Sequence, residues 1–245
     1  HTTSGRYFSA KQVIGAFGKR STVDVKLNRH FIRQKSPYLA VKAHYRGAFD
    51  PNVVALHNFK GGYCGVSCIE NKDINICYLT DYQSFKKYKN IANFQEEVLY
   101  KNKFLKNIFE NSEMLFETPL TISQISFEEK ESVLNHMLLV GDTAGLIHPL
   151  CGNGMAMAIH SAKIASELIA GFLRDKSCPR AEMELHYTKL WNNSFKSRLR
   201  TGKLLSSVLS YTGIQELALN TIAKMPYLLG KIIKTTHGKP IPIPQ

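Results

Sequence analysis

The sequence has few of the features that assign a function at a glance. It contains a single tryptophan, Trp191, and five cysteines: Cys64, Cys68, Cys77, Cys151 and Cys178. No pair of cysteines has C-x-x-C spacing, which excludes a zinc ribbon or dithiol motif, so no metal site is expected. Reduced, mostly buried thiols of a cytoplasmic protein are the expected state. No unbroken apolar run approaches the roughly 18 residues that span a bilayer, so no membrane-crossing helix is expected. The opening residues, His1 to Arg6, lack the charged, apolar, small-residue order of a secretory signal. Also missing is any strand–G-x-G-x-x-G–helix unit, the cradle for the ADP part of a dinucleotide. Acidic residues are scarce: 19 Asp and Glu stand against 32 Lys and Arg, a net charge of +13. That balance favours anionic partners. No nucleic-acid motif accompanies it, so no specific nucleic-acid binding is expected.

What is present describes a folded protein. Apolar residues make up 44% and charged residues 21%, which excludes disorder or coiled coil as the main architecture. The length suits one large domain or two small ones. Ala10 to Ala16 reads as a short strand running into a loop from Gly15 to Ser21. Residues 38–45, 53–59, 63–69 and 74–79 are β-like. The turn signals Asp50-Pro51-Asn52, Gly61-Gly62 and Asn71-Lys72-Asp73 separate them. Such short gaps predict hairpins and an antiparallel sheet. Residues 84–110 carry apolar residues at helical spacing, 118–127 reads as a strand, and 180–202 as a helix. The tail from Leu204 to Ile233 is apolar, basic and helical in pattern, broken at Gly213 and Pro226. It reads either as packed helices or as a basic amphipathic surface on a membrane.

The informative stretch runs from Leu138 to Ala158. An apolar strand ends at Gly141-Asp142, a loop passes through Pro149, and a helix starts at Gly152-Asn153-Gly154-Met155. An Asp at a strand end accepts hydrogen bonds from ligand hydroxyls. Gly152 and Gly154 let a ligand approach the backbone, and the helix start offers free N–H groups and a partial positive charge. His148 is a possible acid or base in the loop, and Cys151 a possible redox thiol, although packing suits both. Met155 and Met157 read as core-facing helix residues.

This stretch closely resembles the second flavin-contacting motif of FAD-dependent oxidoreductases of the p-hydroxybenzoate hydroxylase type. It is most similar to the geranylgeranyl-reductase-like branch, with Thr143 where that family usually has Ala. Val13 to Ser21 resembles the family's middle motif, with Phe17 in place of the usual Asp. Lys19 and Arg20 then read either as charge for an anion in its place or as simply solvated side chains. Phe59 to Val66 resembles a substrate-domain strand beside the flavin, without that motif's Trp. The Trp-x-Trp-x-Ile-Pro motif of flavin halogenases is absent.

The resemblance implies an α/β fold of the FAD/NAD(P)-binding, glutathione-reductase/hydroxylase type. In this chain the fold is incomplete, and the substrate part is α+β with an antiparallel sheet. Residues 1–36 and 128–175 would belong to the FAD-binding domain, 37–127 to the substrate domain and 176–245 to a C-terminal helical region. Gly141, Asp142, Pro149, Gly152, Asn153, Gly154 and Met155 would contact FAD, with Asp142 on the ribityl chain. No catalytic side chain is assigned. The implied activity is hydroxylation or C=C reduction of an apolar, lipid-like or aromatic small molecule, with NAD(P)H as reductant. The expected partners are that substrate and an N-terminal half of about 100–150 residues, in cis or in trans. The expected location is the cytoplasm, with peripheral membrane contact through the basic C-terminal helices as an option. The rival reading is a non-catalytic, basic, lipid- or membrane-binding remnant of a flavoprotein.

Overall fold

The structure, a computed structural model, describes residues 2, 4–175, 177–210, 221, 224–238 and 241. The chain forms two compact units. One comprises residues 1–32, 127–204 and 226–245; the other comprises 33–126 and 205–225. Gly213 of the tail lies outside the described residues.

The second unit is built on an antiparallel sheet. Its strands are β2 (Tyr38–Arg46), β3 (Val54–Phe59), β4 (Gly62–Cys68), β5 (Ile74–Asp81), β6 (Glu113–Met114) and β7 (Leu120–Ser123). The order is β3-β4-β5-β2-β6, with β7 also paired to β2. The expected hairpins β3–β4 and β4–β5 form, with Asn58 opposite Tyr63 and Ser67 opposite Asn75. β2 instead crosses to β5, pairing Val41 with Tyr78. Burial alternates along β2, so Leu39, Val41, Ala43 and Tyr45 face the core while their neighbours turn outward.

Helices cover that apolar face. The helical stretch expected over 84–110 is three helices: α2 (Tyr82–Lys86), α3 (Ile91–Glu97) and α4 (Lys103–Glu110). The breaks fall where Asn90 and Asn102 cap new helices, each side chain accepting from the first turn. Phe94 of α3 is fully buried. Its ring meets those of Phe59, Tyr78, Phe85 and Tyr88 at centroid distances of 5.3–6.1 Å. The strand expected over 118–127 shortens to β7, all of whose residues are exposed.

The first unit holds a small sheet of β1 (Val13–Gly15), β8 (Val133–Leu134) and β9 (Met137–Leu139) in the order β1-β9-β8. β1 and β9 are parallel, Ile14 opposite Leu138. The hairpin β8–β9 turns through Asn135 and His136, both at positive φ. Three further helices follow: α5 (Gly154–Arg174), α6 (Arg180–Trp191) and α7 (Ser197–Ser210). A π-helical turn, Asn192–Lys196, joins α6 to α7 where one continuous helix was expected. The last helix, α8 (Pro226–His237), starts at the proline that broke the sequence pattern. Leu138, Leu139, Met157, Ala165, Tyr187 and Phe195 form this unit's buried core. The Tyr187 hydroxyl donates to the Leu139 carbonyl at 2.6 Å, fastening α6 to β9.

By length and composition, α5 is long and apolar enough to cross a membrane, although only 22% of its apolar window is buried in the protein. This corrects the expectation that no such segment exists. Lys163 and Glu167 interrupt the apolar run, and they neutralise each other as an i,i+4 pair. Met157, Ser161, Ile164 and Ala165 face the core, whereas Met155 (83% exposed), Ile159 and Leu173 face outward. Met155 is therefore not a core residue: two positions from Met157, it falls on the opposite side of the helix.

Candidate functional site

β9 delivers the chain into a one-turn 3-10 helix, Gly141–Thr143. Gly141 has φ +57, and an added Cβ there would sit 3.0 Å from the Ala158 Cβ. Only glycine permits both the left-handed backbone and the close approach to α5. Its N–H donates to Ser161 Oγ at 2.8 Å, which locks the turn onto the helix. Asp142 is half-buried. Its carboxylate has no hydrogen-bond partner among the described residues, and burial raises its pKa, opposed by the charges of Lys130 and Lys19.

The loop then crosses to α5. His148 is buried, with Nδ1 accepting from the Leu150 N–H at 3.4 Å and its ring 4.5 Å from that of Phe127. Burial pushes its pKa down to about 4, so it is a neutral structural imidazole. Cys151 is buried against Gly202, and burial pushes its thiol up to about 11, which removes the thiolate a redox role needs. Pro149 is exposed. Gly152 is left-handed at φ +65, with open space where a Cβ would stand. Among the described residues no side chain caps the start of α5. Asn153 sits at that start but turns inward, Nδ2 donating to the Thr236 carbonyl of α8 at 2.6 Å. Gly154 begins the helix, and Met155 stands exposed on its first turn. The seven residues singled out in the sequence thus lie along one strand–turn–loop–helix path. Gly141 is packed on the third turn of α5, and Gly152 to Met155 form its open end.

The middle-motif loop is bound to this turn. Gly18 donates its N–H to Thr143 Oγ1 at 2.8 Å, and the hydroxyl donates back to the Gly18 carbonyl at 3.2 Å. The Thr143 departure from the family's Ala therefore has a structural use. Phe17 stands where the family has Asp and packs against the core of this unit, over Gly15. Lys19 is partly buried beside Asp142; burial lowers its pKa and Asp142 raises it.

Beneath both loops lies a charged network that the sequence did not reveal. Arg29 is 2% exposed. Its Nη1 donates to Asp24 Oδ1 at 3.0 Å and to the Thr143 carbonyl at 2.8 Å, and its Nη2 to Glu131 Oε2 at 2.9 Å. Asp24 also accepts from the Ser21 N–H at 2.7 Å, completing a capping box on α1 (Thr22–Lys26). Lys130 Nζ donates to the carbonyls of Lys19 (2.8 Å) and Asp142 (2.9 Å) and lies 4.2 Å from the centre of the Phe31 ring. Burial lowers the Lys130 pKa to about 8, with Arg29 adding repulsion and Asp24, Asp142 and Glu131 opposing. The Ser21-x-x-Asp24 spacing was a legible capping signal. Arg29 and Lys130 had none: Glu131 lies 102 residues from Arg29, and their other partners, Asp24 apart, are backbone carbonyls.

These residues fit a flavin. An unpartnered carboxylate, an open glycine and an uncapped helix start leave room and hydrogen-bonding capacity for a hydroxylated, anionic ligand.

Comparison with known proteins agrees with this geometry. Residues 89–197 match the family model of squalene epoxidase. The structure is similar to the flavin-dependent brominase Bmp2, with a TM-score of 0.71 and 16% identity over 93% of this chain and 57% of that one. It is also similar to CmlS, a flavin-dependent halogenase, with a TM-score of 0.66 and 17% identity over 83% of this chain and 38% of that one. A third similar structure is a geranylgeranyl bacteriochlorophyll reductase-like protein of Thermoplasma acidophilum. Its TM-score is 0.65 and its identity 18%, over 91% of this chain and 61% of that one. This chain thus spans between 38% and 61% of the length of these proteins. The family-model match covers less than half of the chain and these structures share its fold; both agree with the resemblance carried by the motif from Leu138 to Ala158.

Proposed function

We propose that this chain is the flavin-ring and substrate portion of an FAD-dependent monooxygenase that inserts one oxygen atom into an apolar, isoprenoid-like or aromatic molecule. The reading rests on one observation: the unpartnered Asp142 carboxylate sits on a turn that is locked to α5 behind an open, uncapped helix start. FAD, when bound, supplies the redox chemistry, taking electrons from NAD(P)H and passing them to dioxygen. The balance is one substrate, one O2, one NAD(P)H and one proton going to oxygenated product, NAD(P)+ and water.

The chain's own residues bind and orient. Asp142 would accept hydrogen bonds from ribityl hydroxyls. The backbone from Gly152 to Met155 would hold the ring system, where the α5 dipole would favour negative charge. Lys130 and Thr143 hold the middle-motif loop and the Gly141–Thr143 turn in register. In the other unit, a cavity of about 280 Å³ has Tyr38, Gly61, Gly62, Tyr63 and Leu79 in its walls. Asn58, Thr80, Asp81, Ser84 and Ser206 complete the lining, so it offers a substrate two tyrosine rings beside hydrogen-bonding groups.

The squalene epoxidase match supports oxygen insertion over C=C reduction. An ADP-binding lobe, in the same polypeptide or a separate one, completes the cofactor site. We place the protein in the cytoplasm with peripheral membrane contact, which exposed Tyr227 and Ile233 beside Lys231 and Lys234 on α8 would make.

The test is flavin binding by the natural protein together with its ADP-binding lobe. The expected result is a yellow protein that keeps its absorption band through gel filtration. Asp142→Ala should weaken FAD binding about ten- to a hundredfold, the worth of hydrogen bonds to a charged acceptor. A protein that stays colourless after FAD is added refutes the enzyme reading and favours a basic lipid-binding remnant.

A further inference from the structure

Two opposite charges at the Gly141–Thr143 turn stand side by side without pairing. Lys130 Nζ donates to the carbonyls of both Lys19 and Asp142, so those two backbone segments share one ammonium. Thr143 Oγ1 ties Gly18 to the same turn through its N–H and its carbonyl. The side chains of Lys19 and Asp142 thus leave from adjoining backbone, and each feels the other's charge. Among the described residues neither side chain has an ion pair or a hydrogen bond. Both are partly buried, and burial works against the charge of each. The other cations beneath the loops are committed, Arg29 to Asp24 and Glu131, and Lys130 to the two carbonyls.

The middle-motif loop offers an anion little else. Phe17 packs into the core and carries no polar group. Gly18 has both backbone groups bound by Thr143, but its outer side is open: it is left-handed at φ +79, with nothing within 4 Å of an added Cβ. Lys19 is the next group along the loop. A carboxylate only accepts hydrogen bonds and an ammonium only donates them. One ligand satisfies both if hydroxyls and an anionic oxygen follow each other along it, as in a polyol phosphate ester. The ammonium also offsets the repulsion between Asp142 and such a phosphate.

We propose that Lys19 holds the phosphate that follows the ribityl chain of the flavin, so that this site distinguishes a phosphorylated flavin from riboflavin. The proposal rests on the reading of Asp142 as the ribityl acceptor and adds a second residue to it.

The test uses the natural protein with its ADP-binding lobe, freed of flavin. Riboflavin and its monophosphate, FMN, differ only in the phosphate and are the two probes, with binding read from the flavin fluorescence. FMN should bind about tenfold tighter than riboflavin at low salt, as one charge-assisted contact provides. That preference should shrink at high salt, which screens a partly exposed charge. Lys19→Gln should abolish the preference and leave riboflavin affinity unchanged, Lys19→Arg should keep it, and Asp142→Ala should weaken both probes alike. Equal affinity for the two probes, or a preference that survives Lys19→Gln or follows Arg20→Gln instead, overturns the role of Lys19 and leaves the flavin reading standing. Binding of neither probe overturns that reading and the proposal with it. Circular dichroism checks the fold of each variant. Should Lys19→Gln fail to fold, salt decides on the unsubstituted protein, and a preference for FMN that salt does not reduce overturns the proposal.

Discussion

Replacing Arg29 with Met removes the centre of the network beneath the candidate cofactor loops. The guanidinium holds the Asp24 carboxylate, the Thr143 carbonyl and Glu131 at once. Methionine keeps much of the volume and none of the charge. Asp24 has 1% of its side chain exposed, so water cannot replace the lost partner. Among the described residues, only the capping-box bond from the Ser21 N–H remains to its carboxylate. Breaking a buried pair from one side costs about 3–5 kcal/mol. The exposed Glu131 arm adds little to that, because its carboxylate is 47% exposed and water solvates it once released. For a chain of this size each kcal/mol lowers Tm by roughly 2–4 °C. A fall of about 6 °C or more is therefore expected. Trp191 lies in the same compact unit as Arg29, so urea unfolding followed by its fluorescence reports the unit that is damaged. Adding Asp24→Asn keeps a cap and removes the stranded charge, and should recover part of the loss. A single Arg29→Met loss below about 1 kcal/mol, or a double variant less stable than the single one, would refute the reasoning.

Three other outcomes are expected. Thr143→Val deletes the hydroxyl that pairs with both backbone groups of Gly18 at nearly constant volume. It should cost about 1–3 kcal/mol in urea unfolding, while Thr143→Ser should lose less than half of that. Phe94→Ala empties the centre of the aromatic cluster over the sheet and should cost about 3–5 kcal/mol, visible as loss of near-ultraviolet circular dichroism. Lys130 has a folded pKa lowered to about 8 from 10.5, so its buried charge is a penalty below pH 8 that is relieved as pH rises toward 10. Stability of the unsubstituted protein relative to Lys130→Met should therefore rise over that window, by on the order of 3 kcal/mol at most. A flat difference would contradict the assignment.

The sequence by itself determined the local elements wherever short-range chemistry is decisive. The turn residues at 50–52, 61–62 and 71–73 delimited β3, β4 and β5 to within a residue or so, because hairpin loops are specified by their own backbone demands. The strand ending at Gly141-Asp142 and the helix from Gly154 were legible for the same reason: glycines, a strand-end Asp and an apolar run are local signals. The split of 84–110 into three helices turned on Asn90 and Asn102. These are also local signals, but the apolar periodicity running through them masked the caps. The π turn at Asn192–Lys196 and the outward face of Met155 were not legible, since each depends on which side of a helix the core occupies.

Tertiary structure alone decided what joins distant segments. β2 pairs with β5 rather than with β3, which follows it in sequence, a choice set by long-range register and burial. Thr143 grips Gly18 across 125 residues, and Arg29 reaches Glu131 across 102. Lys130 spends its ammonium on carbonyl oxygens, which every residue carries and no sequence pattern marks. Local chemistry thus wrote the flavin-like motif into the chain, and only the folded chain brought together the charges that hold it.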